Sequence, residues 1–189
     1  MNKQAARRHF RSLRQSLTSA ERNRFDDLLL IGFQSLDLPF IQSVLTYAAI
    51  DAHGEPPTGL ITRYLQFLNP ELQIAYPRTN WTENSFDAIA TGDDPVFQLS
   101  ERGIPEPPEG EIVAPEELDM VIVPLLAFDR HGYRVGYGKG FYDRYLAQCS
   151  SHCLLAGISY FEPLDKITDA GEFDVPLDIC ITPQNVYVF

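Results

Sequence analysis

The stretch from Met120 to Arg144, MVIVPLLAFDRHGYRVGYGKGFYDR, constrains this chain more than any other. It opens as an apolar run, passes four glycines in the nine residues from Gly132 to Gly140, and ends on a helical pattern. That order spells strand, glycine-rich loop, helix start. The free N–H groups and positive dipole end of a helix N-terminus favour anions. Arg134 and Lys139 add side-chain cations to the same loop. Glycines at alternate positions (Gly136, Gly138, Gly140) let backbone approach a ligand closely, and let successive N–H groups turn inward as an anion nest. The loop is not a Walker A motif, because Gly138-Lys139 is followed by Gly140 where Ser or Thr would stand. It is not a dinucleotide fingerprint either: its glycine spacing is wrong, and it follows a long turn. The reading is a phosphate cradle. Asp143, in the first helical turn beyond it, suits the helix dipole and equally suits Mg2+, which binds through one or two carboxylates plus phosphate oxygens. A second carboxylate is sought in Asp174-Val-Pro-Leu-Asp178, with Asp178 the candidate.

Taken in order, the rest supplies an α/β frame. Residues 2–16 read as a helix, and Thr18-x-x-Glu21 is a capping box for a second helix to about Gly32. Lys3, Arg7, Arg11 and Arg14 share one face of the first helix. Such a stripe is either a solvated face near acidic neighbours or a surface turned to a polyanion. Val44–Ile50 reads as a strand, Thr58 as the N-cap of a helix over 59–68, and Leu72–Arg78 as a strand. Leu60, Ile61, Tyr64, Leu65 and Leu68 are spaced for burial on that helix. Strand, helix, strand at this length is a βαβ unit and hence a parallel pair. Ser85–Ala90 is a further strand, while Asp93-Asp94-Pro95 and the Pro/Glu-rich 101–116 read as extended loop. Leu118–Phe128 reads as a central strand buried on both faces. A helix over 141–149 and strands over Leu154–Tyr160, Asp178–Thr182 and Val186–Phe189 complete the chain. The expected fold is a single three-layer α/β domain over 1–189, its sheet mostly parallel with helices on both faces.

With 189 residues and 44% hydrophobic content, the chain can bury one real core. Its formal net charge of −11 argues against binding nucleic acid or anionic membrane in general, so an anionic ligand needs a local concentration of Lys and Arg. Three cysteines (Cys149, Cys153, Cys180) show no metal-ligand spacing and read as buried thiols of a reducing cytosol. The four histidines are scattered and read as surface or loop residues. No secretory signal and no membrane span is read. The expectation is a soluble, cytoplasmic monomer.

The segment Val121-Ile-Val-Pro-x-x-Ala-Phe-Asp-x-x-Gly-x-Arg-x-Gly-Tyr-Gly-x-Gly-Phe-Tyr-Asp-Arg144 resembles the signature of the 5-formyltetrahydrofolate cyclo-ligase family. Shorter matches run along the chain: Lys3-x-x-x-Arg7 with Arg14, Glu55 with Thr58, Tyr76-Pro-Arg78, Gly103-Ile-x-Glu-Pro107 and Asp174-x-Pro-x-Asp178. The resemblance implies ATP- and Mg2+-dependent conversion of 5-formyltetrahydrofolate to 5,10-methenyltetrahydrofolate, with release of ADP and phosphate. The γ-phosphoryl group activates the formyl oxygen before N10 attacks. By that pattern Lys3, Arg7 and the loop Arg134, Val135, Gly136, Tyr137, Gly138, Lys139, Gly140, Phe141 and Tyr142 bind ATP, with Arg134 and Lys139 catalytic. Ile50, Glu55 and Tyr142 meet the reduced folate, and Asp143 and Asp178 hold Mg2+. The chain departs from the family at Leu125, where Gly is usual, and at Pro56-Pro57. Both bear on the shape of the folate pocket. A different ATP-dependent ligase or kinase, and a non-catalytic nucleotide- or folate-binding protein, are the competing readings.

Overall fold

The computed structural model describes residues 1–92 and 94–189; Asp93, expected in a loop, lies outside the described residues. Helices α1 (Lys3–Ser16) and α2 (Ser19–Gln34) lead into strand β1 (Ser43–Leu45), helix α3 (Gly59–Leu68) and strand β2 (Gln73–Asn80). Four strands follow: β3 (Ser85–Thr91), β4 (Gln98–Leu99), β5 (Pro105–Glu106) and β6 (Ile112–Val113). Then come β7 (Met120–Val123), the paired β8 (Ala127–Phe128) and β9 (Arg134–Val135), helix α4 (Phe141–Leu146), β10 (Leu154–Ile158), β11 (Ile179–Ile181) and β12 (Val186–Val188).

The main sheet has the order β12-β11-β10-β7-β1-β2-β3-β6. Its five inner strands, β11 to β2, are parallel, and β12, β3 and β6 extend it antiparallel. Strand β7 lies at its centre, each of its four residues 0% exposed. Burying such side chains contributes about 1.5–3 kcal/mol each. The period of two divides them cleanly: Met120 and Ile122 face the core under α2 and α3, Val121 and Val123 the core on the α4 side. Helices therefore cover both faces, as expected of parallel strands whose crossovers leave in opposite directions. Among the described residues no helix is long and apolar enough to cross a membrane.

Local signals account for the helix starts. Asn2 caps α1 by accepting from Ala5 N, and Thr18 and Glu21 form the reciprocal capping box of α2. Thr58 stands at the N-cap of α3 without a side-chain cap bond; its hydroxyl donates to the Tyr47 carbonyl 2.9 Å away, tying the helix to the segment that follows β1. On α3, Ile61 and Leu65 are buried while Leu60 and Leu68 stay exposed, so the buried stripe is narrower than the apolar one. The strand expected over Val44–Ile50 ends at Leu45, and that expected over Leu118–Phe128 ends at Val123 before Pro124, which carries no N–H for the ladder. The helix expected to Cys149 stops at Leu146. The strand expected over Ser85–Ala90 is β3, paired with β2, while the 101–116 stretch expected as extended loop holds β5, paired with β4, and edge strand β6. Cys153 and Cys180 are buried and Cys149 half-buried, all three free.

Candidate active site

Strand order changes direction between β1 and β7. From β1 the chain crosses to β2 on one side; from β7 it crosses to β10 and β11 on the other. Loops leaving the carboxyl ends of these two strands part there, and the crevice between them is where open α/β sheets take ligands. A cavity of about 750 Å3 occupies this position, lined by Tyr47 and Ile50 beyond β1 and by Pro124 beyond β7. That volume suits a drug-sized ligand.

The glycine-rich loop forms one wall. After Pro124 the chain makes the β8–β9 hairpin, and its turn is held by Asp129. This carboxylate is 0% exposed and accepts from the backbone N–H of His131, Tyr133 and Ile167. The hairpin delivers Arg134, whose side chain is 5% exposed. Arg134 donates to Asp143 Oδ1 at 2.8 Å and to the Val175 carbonyl. Burial lowers the Arg134 pKa, and Asp143 and Asp174 oppose that, so its positive charge is kept at the cavity wall. Gly138 (φ 96°) and Gly140 (φ 69°) take left-handed conformations. A Cβ on Gly138 would meet the Arg7 guanidinium at 3.1 Å, so loop and α1 are in contact there. Gly136 needs no special φ; its carbonyl accepts from Arg7 Nε at 2.9 Å.

Helix α1 forms the second wall. Lys3, Arg7 and Arg11 of the basic stripe line the cavity. Lys3 Nζ lies 2.6 and 2.5 Å from the two oxygens of Asp174. Arg14, one step further on the same face, is 1% exposed and reaches inward to the Leu125 carbonyl and the Tyr137 hydroxyl. Among the described residues, six Lys and Arg side chains line the cavity against three carboxylates, Glu55, Asp143 and Asp174. In a chain of net charge −11 this is a strong local reversal of sign.

The third wall carries the polar and aromatic groups. Gly54 (φ 59°) ends the Asp51–His53 turn and lets Glu55 fold back, where Oε2 accepts from Ile50 N at 2.8 Å and Oε1 from the Tyr137 hydroxyl. Tyr142 lines the cavity with its hydroxyl buried and, among the described residues, without a hydrogen-bond partner. Burial first, and then Glu55, push its pKa well up, so it remains a neutral donor. Trp81 meets Phe141 edge-on at 5.1 Å between centroids, and the Arg102 guanidinium stacks 3.9 Å over the indole.

Of the expected ligand-binding residues, Lys3, Arg7, Ile50, Glu55, Arg134, Gly136–Tyr142 and Asp143 all line this one cavity. Val135 does not: it is 1% exposed and packs with Ala6, Phe10 and Leu126. Asp178 does not either. It stands at the amino end of β11, on the opposite edge of the sheet, where Oδ2 accepts from Leu155 N at 2.7 Å. The second carboxylate of the cavity is Asp174. Burial raises its pKa, but bonds from Lys3 and Gly171 N and the charges of Lys3 and Arg134 outweigh this and hold it below the usual aspartate range. Asp143 and Asp174 both line the cavity, bonded by Arg134 and Lys3 respectively; a hard cation takes one or two such carboxylates and completes its shell elsewhere. Among the described residues no group of three or more His, Cys, Asp or Glu is arranged as an all-protein metal cage. Sequence reasoning missed Arg11, His53, Arg102 and Asp174 as lining residues; the helical spacing from Arg7 already carried the signal for Arg11.

Leu125 does not narrow the cavity. It is 2% exposed, and a Cβ on Gly157 would lie 2.7 Å from its Cδ2, so the side chain fills the space above that glycine. Leu125→Ala is expected to cost about 2–5 kcal/mol of stability. KM values should stay within twofold; urea unfolding with steady-state kinetics checks both.

The model of the 5-formyltetrahydrofolate cyclo-ligase family matches residues 1–183. A 5-formyltetrahydrofolate cyclo-ligase of Mycoplasma pneumoniae is 25% identical, the match covering 97% of this chain and 100% of the relative. Among solved structures, the 5,10-methenyltetrahydrofolate synthetase of Aquifex aeolicus superposes with a TM-score of 0.80 at 30% identity, covering 100% of this chain and 93% of that one. A 5,10-methenyltetrahydrofolate synthetase from Mycoplasma pneumoniae gives 0.76 at 25% identity, covering 96% and 98%.

Proposed function

The chain belongs to the 5-formyltetrahydrofolate cyclo-ligase family, and from that premise we propose that its cavity closes 5-formyltetrahydrofolate to 5,10-methenyltetrahydrofolate at the expense of ATP, with Mg2+, as one domain over 1–189. The observation that carries the ATP requirement is the meeting of α1 and the glycine-rich loop. Lys3, Arg7, Arg134 and Lys139 converge on one cavity of an otherwise acidic chain. Such a concentration of cations, beside backbone freed by Gly136, Gly138 and Gly140, suits a triphosphate.

In this reading Lys3, Arg7 and the loop hold the phosphates in line with the formyl oxygen. Lys139 is exposed on the loop, with a side chain free to follow the transferred group. Asp143 and Asp174 would hold Mg2+, which when bound neutralises charge developing on the phosphate oxygens. Glu55 accepts from N–H donors on the pterin edge, Ile50 lines that pocket, and Trp81, Phe86 and Phe141 supply an apolar wall for rings. The formyl oxygen takes the γ-phosphoryl group, N10 attacks the activated carbon, and phosphate leaves, so the products are ADP, phosphate and the methenyl ring. Phosphoryl transfer of this kind needs positioning and positive charge, with no protein nucleophile.

Lys139→Ala is expected to raise KM for ATP about tenfold while reduced-folate affinity changes less than twofold. The tenfold figure is about 1.4 kcal/mol, the size of one charge-assisted hydrogen bond. Steady-state kinetics with calorimetric folate titration checks it. Equal loss of both, with the fold intact, contradicts the role of the loop.

A further inference from the structure

Arg14 is a buried guanidinium, 1% exposed, yet among the described residues no carboxylate pairs with it. Its hydrogen bonds run to the Leu125 carbonyl and, at 3.2 Å, to the Tyr137 hydroxyl oxygen. Burying a guanidinium is costly unless its surroundings answer the charge. Here the answering group stands one side chain away: Tyr137 bridges Arg14 to Glu55, which is 9% exposed at the cavity wall.

The bridge has a direction. A guanidinium carries only donors, so the Tyr137 oxygen must accept from Arg14. The phenolic proton is then left for Glu55 Oε1, and Ile50 N donates to Oε2. Burial, and next the charge of Glu55, raise the Tyr137 pKa, so the proton remains on the phenol. Both groups that bond Glu55 among the described residues are thus donors. The carboxylate is held in one orientation, as an acceptor, and its remaining lone pairs can accept only from donors on a ligand. The same helix pair secures the turn beneath it: Arg22 donates to the Arg14 carbonyl at 2.8 Å, and its guanidinium lies 3.0 Å from where a Cβ on Gly54 would be.

We propose that Arg14 is a positioning residue for the reduced folate: through the Tyr137 hydroxyl it fixes Glu55 as an acceptor and so sets the preference for a ligand edge made of N–H donors. This rests on the reading of Glu55 as the folate-facing group. No contact of Arg14 with either substrate is required.

The test compares Glu55→Gln, Arg14→Met, Arg14→Lys, Tyr137→Phe and the Arg14→Met/Tyr137→Phe double variant in steady-state kinetics, with thermal unfolding as the control for fold. Arg14→Met and Tyr137→Phe should each raise KM for 5-formyltetrahydrofolate about fivefold to tenfold, and Arg14→Met should leave KM for ATP within twofold. The double variant should be no worse than the worse single one, because both cut one relay. Arg14→Lys, still a donor, should recover at least half of the loss. Tyr137→Phe removes a single oxygen, so it keeps the test decisive where Arg14→Met folds poorly. If Glu55→Gln leaves KM for the folate unchanged, the reading of Glu55 itself fails. If Glu55→Gln raises it but Tyr137→Phe does not, or the two single effects multiply, the relay is overturned while that reading stands.

Discussion

Replacing Arg134 with Met is expected to lower kcat/KM about a hundredfold to a thousandfold, the scale seen when one preorganised donor to developing charge is removed. Three features make this the most sensitive position. The side chain is 5% exposed, so its charge acts with little screening by water. It bonds Asp143 and the Val175 carbonyl at once, so it joins the glycine-rich loop to the segment bearing Asp174. Its removal leaves Asp143 without its cation, which repels phosphate where attraction is needed. Arg134→Lys should recover little, because a single ammonium cannot span both acceptors as a planar fork does. Kinetics at saturating Mg2+, with unfolding curves to verify the fold, measures this. A folded Arg134→Met enzyme within threefold of the parent would remove Arg134 from the chemistry.

The second large effect concerns the metal. Asp174→Asn is expected to raise the Mg2+ concentration for half-maximal activity at least about tenfold, equal to 1.4 kcal/mol, whereas Asp178→Asn should leave it unchanged. The contrast follows from placement: Asp174 lines the cavity, while Asp178 bonds Leu155 N at the far edge of the sheet. Stability gives an independent reading. The Asp174 pKa is depressed in the fold, so its contribution is fully present above the unfolded value of about 3.9 and is lost as pH falls through the lower folded value. Urea midpoints of parent and Asp174→Asn should therefore differ at pH 6, and the difference should begin to shrink only below about pH 3.9. A metal requirement shifted by Asp178→Asn and not by Asp174→Asn reverses the assignment.

Much of this was legible in the chain, for reasons that can be named. The β-branched run of β7 and the capping box at Thr18 are local signals that tertiary contacts reinforced. The four glycines placed the loop because three of them serve a backbone need, at φ 82°, 96° and 69°. What was not legible depends on register and depth. Asp174 and Asp178 are four residues apart before the same strand, and only the pairing of β10 with β11 puts one at the cavity and one at the sheet edge. Helical spacing put Arg14 on the basic face, but how deep α1 sinks is set by Ala6 and Phe10 packing under the β8–β9 hairpin. The short pairs within 79–117 escaped because two-residue strands around Pro105 carry no alternation to read. The strand from Val44 was overextended because residues 46–50, though strand-like in composition, leave the sheet to build the site.

The central claim is that one cavity couples phosphoryl transfer from ATP to ring closure of the reduced folate. Purified protein with 5-formyltetrahydrofolate, ATP and Mg2+, followed simultaneously for methenyl absorbance, ADP and inorganic phosphate, tests it most directly. The account predicts that the three appear together in equal amounts, and that omitting ATP abolishes the absorbance change. Methenyl product formed without ADP, or ADP released without ring closure by well-folded protein, would contradict it.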